Sequence, residues 1–181
     1  GVGLVGSEMC IRDRNKDISK RKFYISNIEN DLKKLTFGHI EAKKSLLQII
    51  GKWITNPVSG GSVISLVGPP GVGKTLLAKS ISEAMKIPFS QITLGGQNDG
   101  ELLHGHGYTY SGSQPGMIVK KMIDTGKSRC ILYFDELDKA CSKHGSNEIS
   151  SILIHLTDPN MNKSFQDRFF QGVDFPLDKV I

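Results

Sequence analysis

The apolar positions of the chain change their period as it runs, and each change marks an element. Between residues 15 and 35, Ile25, Ile28, Leu32 and Leu35 recur at helical spacing, with Lys and Asn at most other positions. This predicts a surface helix, broken at Gly38. A second helix is expected over Ile40–Ile54, with Leu46, Leu47, Ile49, Ile50 and Trp53 on its buried side. Asn56-Pro57 and Ser59-Gly60-Gly61 end it. The period then shortens. Val63–Val67 is a brief β-branched apolar run, the pattern of a strand buried on both faces. A helix over Lys74–Met85, a strand over Phe89–Leu94 and a short helix over Asp99–Leu103 follow. Beyond a glycine-rich stretch come a helix over Met117–Asp124, a strand over Cys130–Phe134, a helix over Asn147–Leu156 and a short strand over Val173–Phe175. Strands alternating with helices predict an α/β fold, a parallel sheet with helices on both faces in three layers.

Composition narrows the class. With 38% hydrophobic, 23% charged and 7% aromatic residues, the 181-residue chain has the balance of one soluble globular domain. No apolar run approaches the roughly 18 residues of a membrane span, so no membrane partner is expected. The net charge of +5 is unevenly spread: residues 1–36 hold 8 Lys/Arg against 5 Asp/Glu, and residues 37–181 hold 15 against 13. A near-neutral body argues against a nucleic-acid partner, which needs clustered Lys and Arg on one face. Cys10, Cys130 and Cys141 show no CxxC spacing, which points to a reducing compartment, the cytoplasm or one such as the mitochondrial matrix. Residues 1–14 have neither period and resemble a translated sequencing-adapter scar rather than native chain; no secretory signal is legible in them.

The strongest chemical signal is GPPGVGKT, comprising Gly68, Pro69, Pro70, Gly71, Val72, Gly73, Lys74 and Thr75. It fits G-x-x-x-x-G-K-[ST] and lies between an expected strand and an expected helix, a context that a chance glycine-rich turn would lack. The glycines let successive backbone N–H groups curl toward phosphate oxygens, and the helix N-terminus adds its positive dipole end. Lys74 supplies a point charge for the β- and γ-phosphates, and the Thr75 hydroxyl is a candidate ligand for Mg²⁺. The partner signal is ILYFDE, Ile131–Glu136. A strand ending in two acids puts carboxylates at the carboxyl edge of the sheet. Asp135 is expected to hold Mg²⁺ largely through water, and Glu136 to act as the catalytic base that polarises the attacking water. Solvated acids capping a strand are common by themselves; about 60 residues after a phosphate loop they read as the second half of one site. ATP and Mg²⁺ are the cofactors these residues predict. A non-catalytic nucleotide switch would not need Glu136.

From about Thr36 to Ile181 the chain resembles the AAA+ ATPase module of Lon proteases. The likeness extends beyond the nucleotide motifs to ITLGG (Ile92–Gly96), GHGYTYSGSQPG (Gly105–Gly116), LTDPNMNKSFQDRFF (Leu156–Phe170) and the closing GVDFPLDKVI. YTYSGS and ILIHLTDP are most similar to Lon-like ATPases of large DNA viruses. The departures are local. Gly107 and Tyr108 stand where the family has two arginines, Ser111 replaces an apolar residue, and NEISSIL replaces a run of small residues.

This resemblance implies a homohexameric ring that uses ATP to unfold proteins and thread them into a serine-peptidase chamber. It implies that Tyr110, with Ser111 and Gly112, forms the pore loop that grips substrate. A flat aromatic can press on any extended polypeptide, although packing of Tyr108 and Tyr110 as a local staple also fits the residues. With the periodic helix over residues 15–35 as an N-terminal fringe, it further implies a partial AAA+ domain over 36–181, with the sensor strand beginning at Val180 and Ile181. The arginine finger, lid and Ser–Lys peptidase domain would lie beyond. The alternative is a peptidase-free remodelling ATPase with the same motor. A clamp-loader-like module would be expected to carry basic stripes and no such tyrosine. His104 and His106 lack further metal ligands at useful spacing, and Arg129 and Arg168 are not assigned as fingers. Phe37, Gly38 and His39 stand where such chains meet the adenine, although a helix N-terminus explains them equally well.

Overall fold

The computed structural model describes residues 18–56, 60–95, 100–107, 109, 112–141 and 147–181. Seven α-helices are described: α1 (Ile18–Leu35), α2 (Ile40–Thr55), α3 (Lys74–Met85), α4 (Glu101–His104), α5 (Met117–Thr125), α6 (Leu137–Cys141) and α7 (Asn147–Thr157). The strands are β1 (Phe89–Thr93), β2 (Ile131–Asp135), β3 (Phe165–Gln166) and β4 (Asp174–Phe175). Residues 1–17, including the adapter-like segment, lie outside the described residues.

β1 and β2 pair in parallel, from Phe89 opposite Ile131 to Thr93 opposite Asp135. Successive strand side chains point to opposite faces, and here the two faces carry separate cores. Ile131 packs with Ile28, Leu32, Leu46, Ile50, Trp53, Leu77 and Ile81 on the side of α1, α2 and α3. Leu132 packs with Ile92, Leu94, Leu103, Ile118, Val119, Ile149 and Ile152 on the side of α4, α5 and α7. This is the doubly covered parallel sheet that the alternation of elements predicts. The helix read as a fringe packs too: Ile28 and Leu32 of α1 are fully buried. Leu47 and Ile49 of α2 are only half-buried, and Ile54 takes a buried place instead.

The strand expected over Val63–Val67 is not formed. These residues join no ladder among the described residues, and Val63 and Val67 are exposed. A strand is a property of a pair, and the neighbouring position is taken only at its base. The Gly61 amide donates to the Asp178 carbonyl, while Ile181 donates to Cys130 O at 3.0 Å and accepts from Leu132 N at 2.9 Å. Residues 178–181 therefore run between Gly61 and the start of β2, without forming a strand of their own. Two further elements carry no period in the sequence. α6 is five residues long, and β3 supplies only two to an antiparallel pair with β4, Phe165 opposite Phe175.

A buried hydroxyl pair ties the α1–α2 junction to α3. The Ser80 hydroxyl donates to Leu76 O at 2.8 Å, so Thr36 Oγ1 donates to Ser80 Oγ at 2.6 Å. Thr36→Val leaves that acceptor without its donor. It should lower stability by about 1 kcal/mol, read as a fall in the melting temperature of the full-length protein. An unchanged melt would show that water replaces the lost donor.

Candidate functional site

The loop before α3 is shaped by its glycines. Gly71 and Gly73 have φ of 78° and 86°, a region that side chains disfavour. Gly73 sits at the N-cap, and its carbonyl accepts the first helical bond, from Leu77 N at 2.9 Å. Lys74, the first residue of α3, folds its ammonium back over the loop and donates to Gly68 O and Pro69 O, each at 2.8 Å. The loop's other anchor is His39. It adopts the left-handed region at the N-cap of α2, and its Nε2 lies 2.9 Å from Val72 O. Beside this contact is a cavity of about 180 Å³, with Ala42, Leu66, Val72 and Leu77 among its walls and Lys74 at its rim.

α3 meets β2 through a second hydroxyl pair. Thr75 Oγ1 lies 3.3 Å from the Tyr133 hydroxyl, and Tyr133 stacks on Phe89 of β1 with ring centres 5.9 Å apart. Residues two apart on a strand share a face, so Asp135 follows on the face that Thr75 touches. Both Asp135 oxygens are engaged. Oδ2 accepts from Gln91 Nε2 and Oδ1 from the Glu136 amide, each at 3.0 Å.

Glu136 has φ of 58°, uncommon for a residue with a side chain and a conformation that concentrates at functional sites. The left-handed turn ends β2 and swings the carboxylate over Gly95, at the exit of β1. One of its oxygens pairs with Lys139 on α6. That hydrogen bond, with the added charge of Glu136, raises the Lys139 ammonium above the ordinary lysine pKa.

The structure therefore brings the glycine loop, Lys74 and Thr75 to the same edge as Asp135 and Glu136. Sequence reasoning missed Gln91, Tyr133 and Lys139 as supports of this edge. Little in the sequence marked them: Gln91 follows another polar residue, Ser90, and Tyr133 is one aromatic in an apolar run. Of the segment read as a pore loop, Tyr110 and Ser111 lie outside the described residues, as does Tyr108. Gly112 has φ of 83°, and among the described residues nothing lies within 4 Å of where its Cβ would be. Among the other candidates, His106 pairs with Glu101 at 2.7 Å, and Arg168 lies 3.8 Å from the same carboxylate. His104 rests on the Phe165 ring, and burial, helped by Arg168, lowers its pKa.

A glycine-shaped loop at a helix N-terminus, facing a strand that ends in paired carboxylates, defines a P-loop nucleotide-binding domain of α/β type. Residues 64–172 match the ATPase family associated with various cellular activities, AAA, and the chain belongs to that family. It is similar to a Lon protease homolog of Acanthamoeba polyphaga mimivirus, 52% identical over 165 residues, which is 91% of this chain and 16% of that protein. It is also similar to the Lon proteases of Malacoplasma penetrans and Fusobacterium nucleatum, each 37% identical. Those matches cover 87% and 78% of this chain, and 20% and 18% of the two proteases. The chain thus spans at most one-fifth of the length of these relatives. Among the described residues no helix is long and apolar enough to cross a membrane.

Proposed function

We propose that this chain binds ATP with Mg²⁺ and hydrolyses it, and that in the full-length protein this work unfolds and translocates protein substrates for a Lon-like serine peptidase. The observation that carries the reading is the contact of Thr75 with Tyr133, which sets the N-terminus of the P-loop helix against the strand that ends in Asp135 and Glu136. The donor set fits the nucleotide. Backbone amides and an ammonium suit phosphate oxygens, while a hydroxyl and a carboxylate are hard oxygen ligands of the kind Mg²⁺ takes. Gly68, Pro69, Pro70, Gly71, Val72 and Gly73 form the cradle, with Lys74 at the β- and γ-phosphates. The cavity beside His39 receives the base. Thr75 and Asp135 hold the Mg²⁺, which when bound neutralises charge developing on the phosphates. Glu136 orients and deprotonates the attacking water.

The threading role rests on Tyr110, supported by the likeness to Lon proteases over GHGYTYSGSQPG. A homohexameric ring gives such a loop a central channel to line. Tyr110→Ala in the full-length protein should leave ATP turnover without substrate within about twofold, and slow processing of a folded protein substrate by about tenfold or more, the scale of losing a packed aromatic contact. Unchanged processing would remove Tyr110 from the mechanism. Unfolding without release of peptides would favour the peptidase-free remodelling ATPase.

A further inference from the structure

The stretch from Gly105 to Gly116 is held at both ends, and part of what holds it comes from far along the chain. At the exit of α4, Gly105 N donates to Glu101 O at 2.8 Å. His106 N then donates to Gln114 O at 3.1 Å, which joins the outgoing arm to the returning one. The arms cross closely. A Cβ on Gly105, where φ is 78°, would lie 2.7 Å from Gly116 N and 2.9 Å from Gln114 O. A Cβ on Gly116 would overlap the Leu103 carbonyl. Only glycines let two backbones approach this far.

The carboxylate of Asp167 sits against this crossing, and the residue is 1% exposed. Its two oxygens do different things. Oδ1 accepts from Phe169 N at 2.8 Å, a local turn just after β3. Oδ2 accepts from Gly116 N at 2.8 Å, across 51 residues. The neighbouring backbone adds a second tie, Arg168 N to His104 O at 2.8 Å. Burying a carboxylate is expensive unless donors surround it. The local turn alone would be served by an exposed Asp or Asn. The remote bond is what needs a buried acid, because an ionised acceptor makes the stronger bond to an amide.

We infer that Asp167 is a positioning residue for the 105–116 segment. Its carboxylate pins the returning arm at Gly116 to the 165–169 turn and so fixes where the segment leaves α4 and where it enters α5. A pull on the segment is then borne by the body of the domain. This rests on the reading that the segment grips substrate.

Asp167→Asn in the full-length protein is the test. It keeps the shape but turns one acceptor into a donor, so Gly116 N faces either an N–H group or a neutral, weaker acceptor, and in both orientations loses its bond to a charged group. Hydrogen exchange followed by mass spectrometry should quicken about tenfold or more in peptides covering 103–107 and 114–118, the scale of a lost bond to a charged group. Peptides of β1 and β2, and ATP turnover without protein substrate, should stay within about twofold, because distant sites respond independently. KM for an unfolded polypeptide should rise about tenfold with a smaller change in kcat, the mark of a displaced binding element. Gly105→Ala, which presses on the same crossing from the other arm, should show the same pattern. Unchanged exchange at the stem would overturn the inference. So would loosening of β1 and β2 along with it, which would make Asp167 a general stabiliser. Normal exchange in Asp167→Asn leaves the gripping role of Tyr110 standing. Normal substrate processing by Tyr110→Ala removes that role and leaves the exchange result intact.

Discussion

Glu136→Gln in the full-length protein should retain ATP binding and lower hydrolysis by about 10²-fold or more, the scale of losing a positioned general base. The amide keeps the size and reach of the side chain but cannot take a proton from water. Binding should survive because the cradle is built from the Gly68–Gly73 backbone and Lys74, none of which touches the Glu136 side chain among the described contacts. Nucleotide affinity by equilibrium binding and steady-state phosphate release separate the two effects. Turnover at the wild-type rate would take Glu136 out of the chemistry and leave its left-handed backbone as a turn that merely ends β2.

Gly95→Ala should produce nearly the same loss without touching a chemical group. A Cβ at Gly95 would overlap a carboxylate oxygen of Glu136, and would lie 2.8 Å from its Cδ and 3.3 Å from its Cβ. Most of that conflict falls on the far end of a flexible side chain. The protein can relieve it by turning the carboxylate away, at little expense in stability. The chemistry has no such freedom, because a displacement of about 1 Å in a catalytic group lowers a rate by about 10²-fold. The expected variant is therefore folded, binds ATP and turns over slowly. Combined with Glu136→Gln, Gly95→Ala should add little, since the group it displaces has already lost its function. Full additivity of the two losses, or a loss of nucleotide affinity matching the loss of rate, would overturn this account.

The elements divide by how local their causes are. α3 runs over Lys74–Met85 as expected, because a glycine-rich turn and Pro88 set its limits within a few residues. β1 and β2 were legible as short apolar runs between breakers. Val63–Val67 has a stronger β pattern than either, yet forms no ladder, because its hydrogen bonds depend on what lies beside it. α6 and β3 are shorter than any period that could announce them. The site divides in the same way. Gly68–Thr75, Asp135 and Glu136 are contiguous motifs whose chemistry can be read in order along the chain. Gln91 and Tyr133 reach their partners across 44 and 58 residues, and Asp167 across 51.

By itself, then, the amino-acid sequence determined the α/β class, the phosphate loop, the acids that face it and the family likeness of the segment around Tyr110. All of these are carried by neighbours in the chain. Only the tertiary structure decided that Tyr133 meets Thr75, that Gln91 holds Asp135, that Gly95 must leave room for Glu136 and that Asp167 anchors Gly116. The physical reason is register. The contacts at Asp135 and Gly95 exist because β1 and β2 lie side by side with Phe89 opposite Ile131, that of Tyr133 with Thr75 because α3 packs on β2, and that of Asp167 with Gly116 because two glycines let remote backbones cross. No local pattern of residues encodes these alignments.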